Sequence, residues 1–556
     1  MNIRKWILLF LTVALAGFLR FYDLDELPTG LNIDESSMGY NAYSILQTGK
    51  DRYGQPFPIL FRSFGSFQAP IYTYLTIGPI WLFDSSAFAV RFVSAASGLI
   101  VVAATFFALY FGLRKNFTLA LLASFLVGIA PWAILFNRVG TEASPGLALY
   151  SLGILFAVLS LNNLKLFPIS TLSLGLATHA YYSERLVSIL FIAGFILLFR
   201  KTLINKKRIL IIGLALFVFT QIPHLIIAQT GAFTRRLEQV NYWNDDSFQN
   251  HAPQLINIPF GKSLYITNKF ASQYTAYFSP KNLFFDPDPQ NERSISNLSG
   301  FYNWMLIPFL FGVFFILKNR SNNTLKILIL SMLISPIPAA LTGDPFYTLR
   351  ALDLFWVLTI IIALGFYCIL NSLHKRYSKI LLFSGLAAYS FILLYLSYFV
   401  LLKYEKNVFD YSYTKVLEIS KQYDKKFVVD TSRQLGAGIR YAYLKKYDPH
   451  RLQQNLRAKI GNNYYSSFEI DESYDLGNIE AKPIEWKNDI YQDQILVGDD
   501  LAISEGQIKE HKLSEAFEVT DRSGKVVLWG YSTNPTQKCL SEAQGGRLNK
   551  NCDKWL

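Results

Sequence analysis

The chain has 556 residues, of which 51% are hydrophobic and only 17% charged. A soluble protein of this length carries about a quarter charged residues, so composition excludes an ordinary soluble domain and points to a polytopic membrane protein. The net charge of +13 is read as topology, because Lys and Arg collect in short cytoplasmic loops. Neither zinc-finger spacing nor a glycine-rich phosphate loop suggests nucleic acid as a partner.

The first element is an apolar run at 6–22, entered through Arg4 and Lys5. No small-residue cleavage pattern precedes Arg20, so the run reads as an uncleaved first span rather than a removed signal peptide. Directly after it comes PTGLNIDESSMGYN at 28–41, with the adjacent acids Asp34 and Glu35. Met38, Tyr40, Tyr43, Ile45 and Leu46 follow at helical spacing. The segment 69–83 is too short to span and reads as an interfacial or re-entrant helix.

Ten further runs are expected to span: roughly 88–112, 117–136, 144–162, 165–182, 186–200, 209–228, 301–317, 326–343, 351–370 and 380–402. With the N-terminus inside, the basic clusters at 114–115, 165, 200–208, 318–326 and 374–379 all fall on the cytoplasmic side. The outer side then holds two long loops, 23–87 and 229–300. It also holds short ones around Arg138, around Glu184 and Arg185, and from Asp344 to Arg350.

From about 403 the chain turns polar, with β-like runs such as KFVVD, QILVG and KVVLWG. The expected fold class is therefore a mainly α polytopic membrane protein of about 11 spans. Residues 1–402 form the membrane domain, and 403–556 an extracytoplasmic soluble α/β domain. Cys368 lies in an apolar run; Cys539 and Cys552 can pair if their compartment is oxidising.

Asp34 and Glu35 taken alone read as a solvated loop pair or a helix N-terminus. Their position just past a span, before an amphipathic helix, adds a second reading. Arg138, Arg185 and Arg350 sit at outer ends of apolar runs, each with an acid close by: Glu142, Glu184 and Asp344. Snorkelling to headgroups accounts for any one arginine. Three together suggest a phosphate or diphosphate pocket, since the guanidinium fork matches oxyanions. A carboxylate beside such a pocket suits attack of an acceptor hydroxyl on a lipid-linked sugar phosphate. Tyr181 and Tyr182 fit an interfacial belt, with stacking on a sugar ring as a second role. His179 and His224 lie near outer helix ends without paired spacing, and no tightly held structural metal is expected.

The motifs PxGLNxDE, GYNAYSIL, TGKDxYG, FRSFG and FAVRF, followed by APWAILFNRVGTEA, HAYYSERL and LTGDPFYTLRAL, occur in that order along the chain. In this it resembles bacterial protein-mannosyltransferase and lipid A aminoarabinose transferase-like membrane glycosyltransferases of the GT-C class. The resemblance implies a polyprenyl-phosphate sugar donor, inversion at the anomeric carbon, and transfer at the outer face of the bacterial plasma membrane. It implies catalytic roles for Asp34, Glu35 and Glu142, and donor phosphate contacts for Arg185 and Arg350. Arg62 and Arg138 join the phosphate set, and Tyr40, Tyr181, Tyr182, Glu184, Asp344 and Tyr347 the substrate pocket. Two departures stand out. Relatives often carry Lys-Pro-Pro where this chain has Gln68, Ala69 and Pro70, a gap that Arg62 is a candidate to fill. They often carry Pro-His where it has Phe346 and Tyr347. Dependence on a divalent cation varies within the class and stays open here. The acceptor is a protein, a glycolipid or a cell-wall polymer. The alternative function is a lipid or anionic-solute transporter or flippase, which predicts ionisable residues near the bilayer midplane.

Overall fold

The computed structural model describes residues 2–244, 246–255, 258–404, 411–433, 436–460, 463–470, 473–546 and 549–556. The chain opens with α1 (Ile3–Phe21), α2 (Ile33–Thr48), the short strands β1 (Phe61–Ser63) and β2 (Ser66–Gln68), and α3 (Pro70–Phe83). Then come α4 (Ala87–Gly112), α5 (Phe117–Ile129), α6 (Pro131–Arg138), α7 (Ala143–Ser160), α8 (Phe167–Ala177) and α9 (Glu184–Leu198).

Among the described residues, five helices are long and apolar enough to cross a membrane. They are α4, α7, Asn323–Ala340, Thr348–Ser372 and Arg376–Tyr404. Two bent pairs, α5 with α6 and Lys207–Thr220 with Ile222–Thr230, raise the number to seven if each is one span. The expected eleven are not all met by length. The apolar runs at 165–182 and 186–200 appear as helices of 11 and 15 residues, and at 1.5 Å per residue these reach about 17–23 Å against a core of about 30 Å. The segment 69–83 forms α3, a 14-residue helix packed on α2 and α4.

Glycine sets the closest approach in the membrane core. A Cβ at Gly365 would sit 1.8 Å from the Pro308 carbonyl oxygen, and one at Gly312 would sit 2.0 Å from that of Ile361. The helices Leu306–Lys318 and Leu352–Ser372 therefore touch backbone to backbone, as small residues permit in lipid. Gly365→Ala must push them apart. It should cost about 1–3 kcal/mol, read as a lower melting temperature of the detergent-solubilised protein.

The C-terminal region holds a six-stranded mixed sheet. Its strands are β3 (Lys426–Val429), β4 (Tyr474–Asp475), β5 (Ile479–Ala481), β6 (Gln494–Gly498), β7 (Ser514–Thr520) and β8 (Val526–Ser532), in the order β4-β5-β3-β6-β8-β7. β3 runs parallel to β5 and β6, and the remaining pairings are antiparallel. Cys539 and Cys552 form a disulfide. This region is not an appendage. One apolar core runs from Met38, Tyr40, Phe67, Tyr72 and Val90 into Tyr413, Phe427, Ile439, Tyr443 and Leu452. The helix Ala437–Leu444 packs on α2, and Tyr443 donates to the Ser86 carbonyl at 2.9 Å.

Candidate active site

α2 begins with a capping box: Asn32 Oδ1 accepts the Glu35 amide at 2.7 Å, and Glu35 Oε2 accepts the Asn32 amide at 2.9 Å. Successive helical residues point about 100° apart, so the two acids part company. Asp34 faces a cavity of about 580 Å³. Glu35 turns inward, fully buried, onto Arg91 Nε at 2.8 Å and the Gly140 amide at 2.8 Å.

Six segments separated in sequence build the cavity wall. Asp34 comes from α2, Phe64 and Gln68 from the β1–β2 hairpin, and Glu142 from the turn before α7. Tyr181, Tyr182 and Arg185 come from the start of α9, Arg236 and Arg293 from the loop 229–300, and Tyr347 and Arg350 from the turn before Leu352. Of the residues expected at a site, Asp34, Glu142, Arg185, Arg350, Tyr181, Tyr182 and Tyr347 share this one cavity.

Others do not line it, and each is accounted for elsewhere. Arg138 is fully buried and donates to the carbonyls of Leu19, Arg20, Asp23 and Leu27, closing the end of α1. Arg62 donates to the carbonyls of Tyr464, Ser467 and Glu469, which hold its guanidinium away from the cavity lining. Tyr40 is buried and donates to the Tyr447 carbonyl at 2.9 Å. Glu184 is buried beside Asp353. Asp344 pairs with Arg350 at 3.4 Å.

Three cations were not anticipated. Arg236 and Arg293 lie in a long polar loop where no span end flags them. Arg440, from the C-terminal region, donates to the Leu31 carbonyl at 3.4 Å and adds positive potential at Asp34. Tyr347 lies between two guanidinium groups. Arg293 and Arg350 stack over its ring at 3.6 and 3.9 Å. Arg185 stacks over Tyr182 and Phe233 at 4.2 and 4.4 Å and donates Nη1 to the Phe233 carbonyl. Its Nε and Nη2 have no hydrogen-bond partner among the described residues.

Asp34 is exposed, but to the cavity, whose walls crowd it. Desolvation raises its carboxyl above the usual range, while Arg236, Arg440 and a 3.0 Å bond from Gln68 Nε2 pull the other way. Desolvation and then the nearby Asp34 charge push Glu142 up to about 8, against the Ala69 amide it accepts. Two carboxyls of different affinity for a proton thus face one basic hollow. Among the described residues, no group of three or more His, Cys, Asp or Glu side chains could hold a metal ion. His179 and His224 stack on each other at 3.9 Å instead. Three carboxyls, those of Asp34, Glu142 and Glu292, line the hollow with four arginines, and the excess of guanidinium groups suits an oxyanion.

No family model and no curated protein matches the chain. Solved structures do. ArnT from Cupriavidus metallidurans in the apo state aligns with a TM-score of 0.54 at 12% identity, over 94% of this chain and 97% of that one. The chain has the GT-C fold. The same ArnT bound to undecaprenyl phosphate aligns with a TM-score of 0.52 at 13% identity, over 95% and 98% of the two chains. The agreement covers the membrane helices and the C-terminal sheet together, so the GT-C fold accounts for nearly the whole chain.

Proposed function

We propose that the protein is a membrane glycosyltransferase that moves a sugar from a polyprenyl-phosphate donor to an acceptor hydroxyl, with inversion. One observation carries the reading: Asp34 and the guanidinium groups of Arg185, Arg236, Arg293 and Arg350 line one cavity. The donor phosphate binds the arginines, with the unpartnered Nε and Nη2 of Arg185 as its first contacts. Asp34 takes the proton of the acceptor hydroxyl as that oxygen attacks the anomeric carbon. The bond to the phosphate breaks on the opposite face, and the arginines stabilise the charge that the leaving phosphate gains. The undecaprenyl phosphate bound by an ArnT of the same fold supports a donor of this class.

The cavity and the C-terminal region belong on the extracytoplasmic face of a bacterial plasma membrane in this reading. The start of α4 meets the site side, where the Phe88 amide donates to Asp25. Its far end meets Thr324, which donates to the Gly112 carbonyl at 2.9 Å. The basic turns at 114–115 and 318–326 therefore share the end away from the cavity, as cytoplasmic loops should.

Undecaprenyl phosphate binding to the purified protein tests the donor site. Arg185→Ala should weaken binding about tenfold, the loss of one charge-assisted contact. Arg350→Ala should weaken it less, because Asp344 already engages that guanidinium. Wild-type affinity in both variants would remove the arginines from donor recognition.

A further inference from the structure

Gln68 stands at the hinge of a directional hydrogen-bond chain that ends on Asp34. Arg52, fully buried, donates Nη1 to Ser37 Oγ at 2.8 Å. Ser37 Oγ donates to Gln68 Oε1 at 3.1 Å, and Gln68 Nε2 donates to Asp34 Oδ1 at 3.0 Å. All three supporting residues are buried.

The chain has only one consistent direction. A guanidinium can only donate, so the Ser37 oxygen accepts from Arg52 and its own proton goes to the amide oxygen of Gln68. That turns the amide nitrogen, not the oxygen, toward Asp34. The reversed amide would set its oxygen against a carboxylate oxygen and take from Ser37 its acceptor. Arg52 is anchored in turn, with Nη2 on the Arg62 carbonyl at 3.1 Å and on the Tyr53 hydroxyl at 3.2 Å. The β1–β2 hairpin that carries Gln68 and the buried arginine that orients it are thus tied together.

We propose that Gln68 is a positioning residue: oriented by Ser37 and Arg52, it keeps Asp34 an ionised hydrogen-bond acceptor and leaves the second carboxylate oxygen for the acceptor hydroxyl. The role in transfer rests on the glycosyltransferase reading; the control of Asp34 ionisation does not. The oriented chain supplies Asp34 with a directed neutral donor.

Carbodiimide labelling of Asp34 tests this without the sugar. The reagent adds to the protonated carboxyl, so the labelling rate against pH, read by mass spectrometry on the full-length protein in detergent, reports its titration. Gln68→Leu should move the midpoint upward by about one pH unit. Ser37→Ala, which frees the amide to turn, should move it in the same direction by less. A melting temperature in detergent near the wild-type value checks that each variant is folded. A midpoint unchanged in both variants overturns the proposal, even if Asp34 proves essential. A midpoint shifted in both, with Asp34→Asn still active in transfer, upholds the chain and sinks the transferase role of Asp34 instead.

Discussion

Asp34→Asn should abolish sugar transfer, by at least ~100-fold, while undecaprenyl phosphate binding stays close to wild type. The substitution keeps the size of the side chain and removes the carboxylate assigned to accept the hydroxyl proton, and a general base contributes typically 10²–10⁴-fold. Glu142 does not stand in for it. Burial and the neighbouring Asp34 charge hold Glu142 near 8, so at neutral pH it carries a proton. Asp34 has the better claim to ionise, with Arg236, Arg440 and Gln68 all favouring its charged form. Glu142→Gln, which imitates the protonated state, should therefore cost less than about tenfold. The pH dependence follows with a fixed sign. Activity needs Asp34 ionised, so transfer falls as pH drops through a midpoint lying above the ordinary aspartate value. The measurement is transfer in membranes from a panel of radiolabelled polyprenyl-phosphate sugars, across pH, for the three proteins. Equal rates for wild type and Asp34→Asn would end the assignment.

What was legible in the sequence was the part written in local order. The acid after the first span, the arginine opening α9 and the one before Leu352 each sit beside a long apolar run, and all three reach the cavity. Glu35 and Tyr40 misled through the same nearness. They are close to Asp34 in sequence, but on a helix one residue turns the side chain through about 100°, and six residues carry it to the Tyr447 carbonyl. Arg138 misled differently. An arginine at a helix end can serve an anion or its neighbours' carbonyls, and only the packing of α1 against α6 shows that four carbonyls claim it. Arg236 and Arg293 stayed hidden because they lie on the short polar helix Ala232–Val240 and the turn Asn291–Arg293, with no long apolar run beside them to mark them. The C-terminal region reads from composition as a separate soluble unit. Its apolar face was not recognisable as half of a core shared with α2 and α3, because the other half lies some 400 residues earlier.

The second large effect is expected far from the phosphate. Arg91 and Glu35 form a fully buried ion pair at 2.8 Å, and Arg91 also donates to the carbonyls of Leu24, Pro28 and Gly30. Those carbonyls belong to the turn that leads from α1 into α2. Glu35 closes the other side through the amides of Asn32 and Gly140, two residues before Glu142. One ion pair thus locks the Asp34 helix, the turn before it and the segment bearing the second acid. Arg91→Ala leaves a buried carboxylate with no cation and strands three carbonyls. Breaking such a pair costs about 3–5 kcal/mol, far more than a typical surface change. The variant should melt well below wild type in detergent and lose transfer together with undecaprenyl phosphate binding, unlike Asp34→Asn, which keeps binding. Arg91→Lys restores the charge without the fork that reaches Glu35 and the carbonyls at once, so it should fall between. Glu35→Gln in the Arg91→Ala background removes the orphaned charge and should recover part of the melting temperature. If Arg91→Ala melts with wild type, the pair does not hold the site, and the placement of Asp34 must come from the hairpin and the C-terminal helix alone.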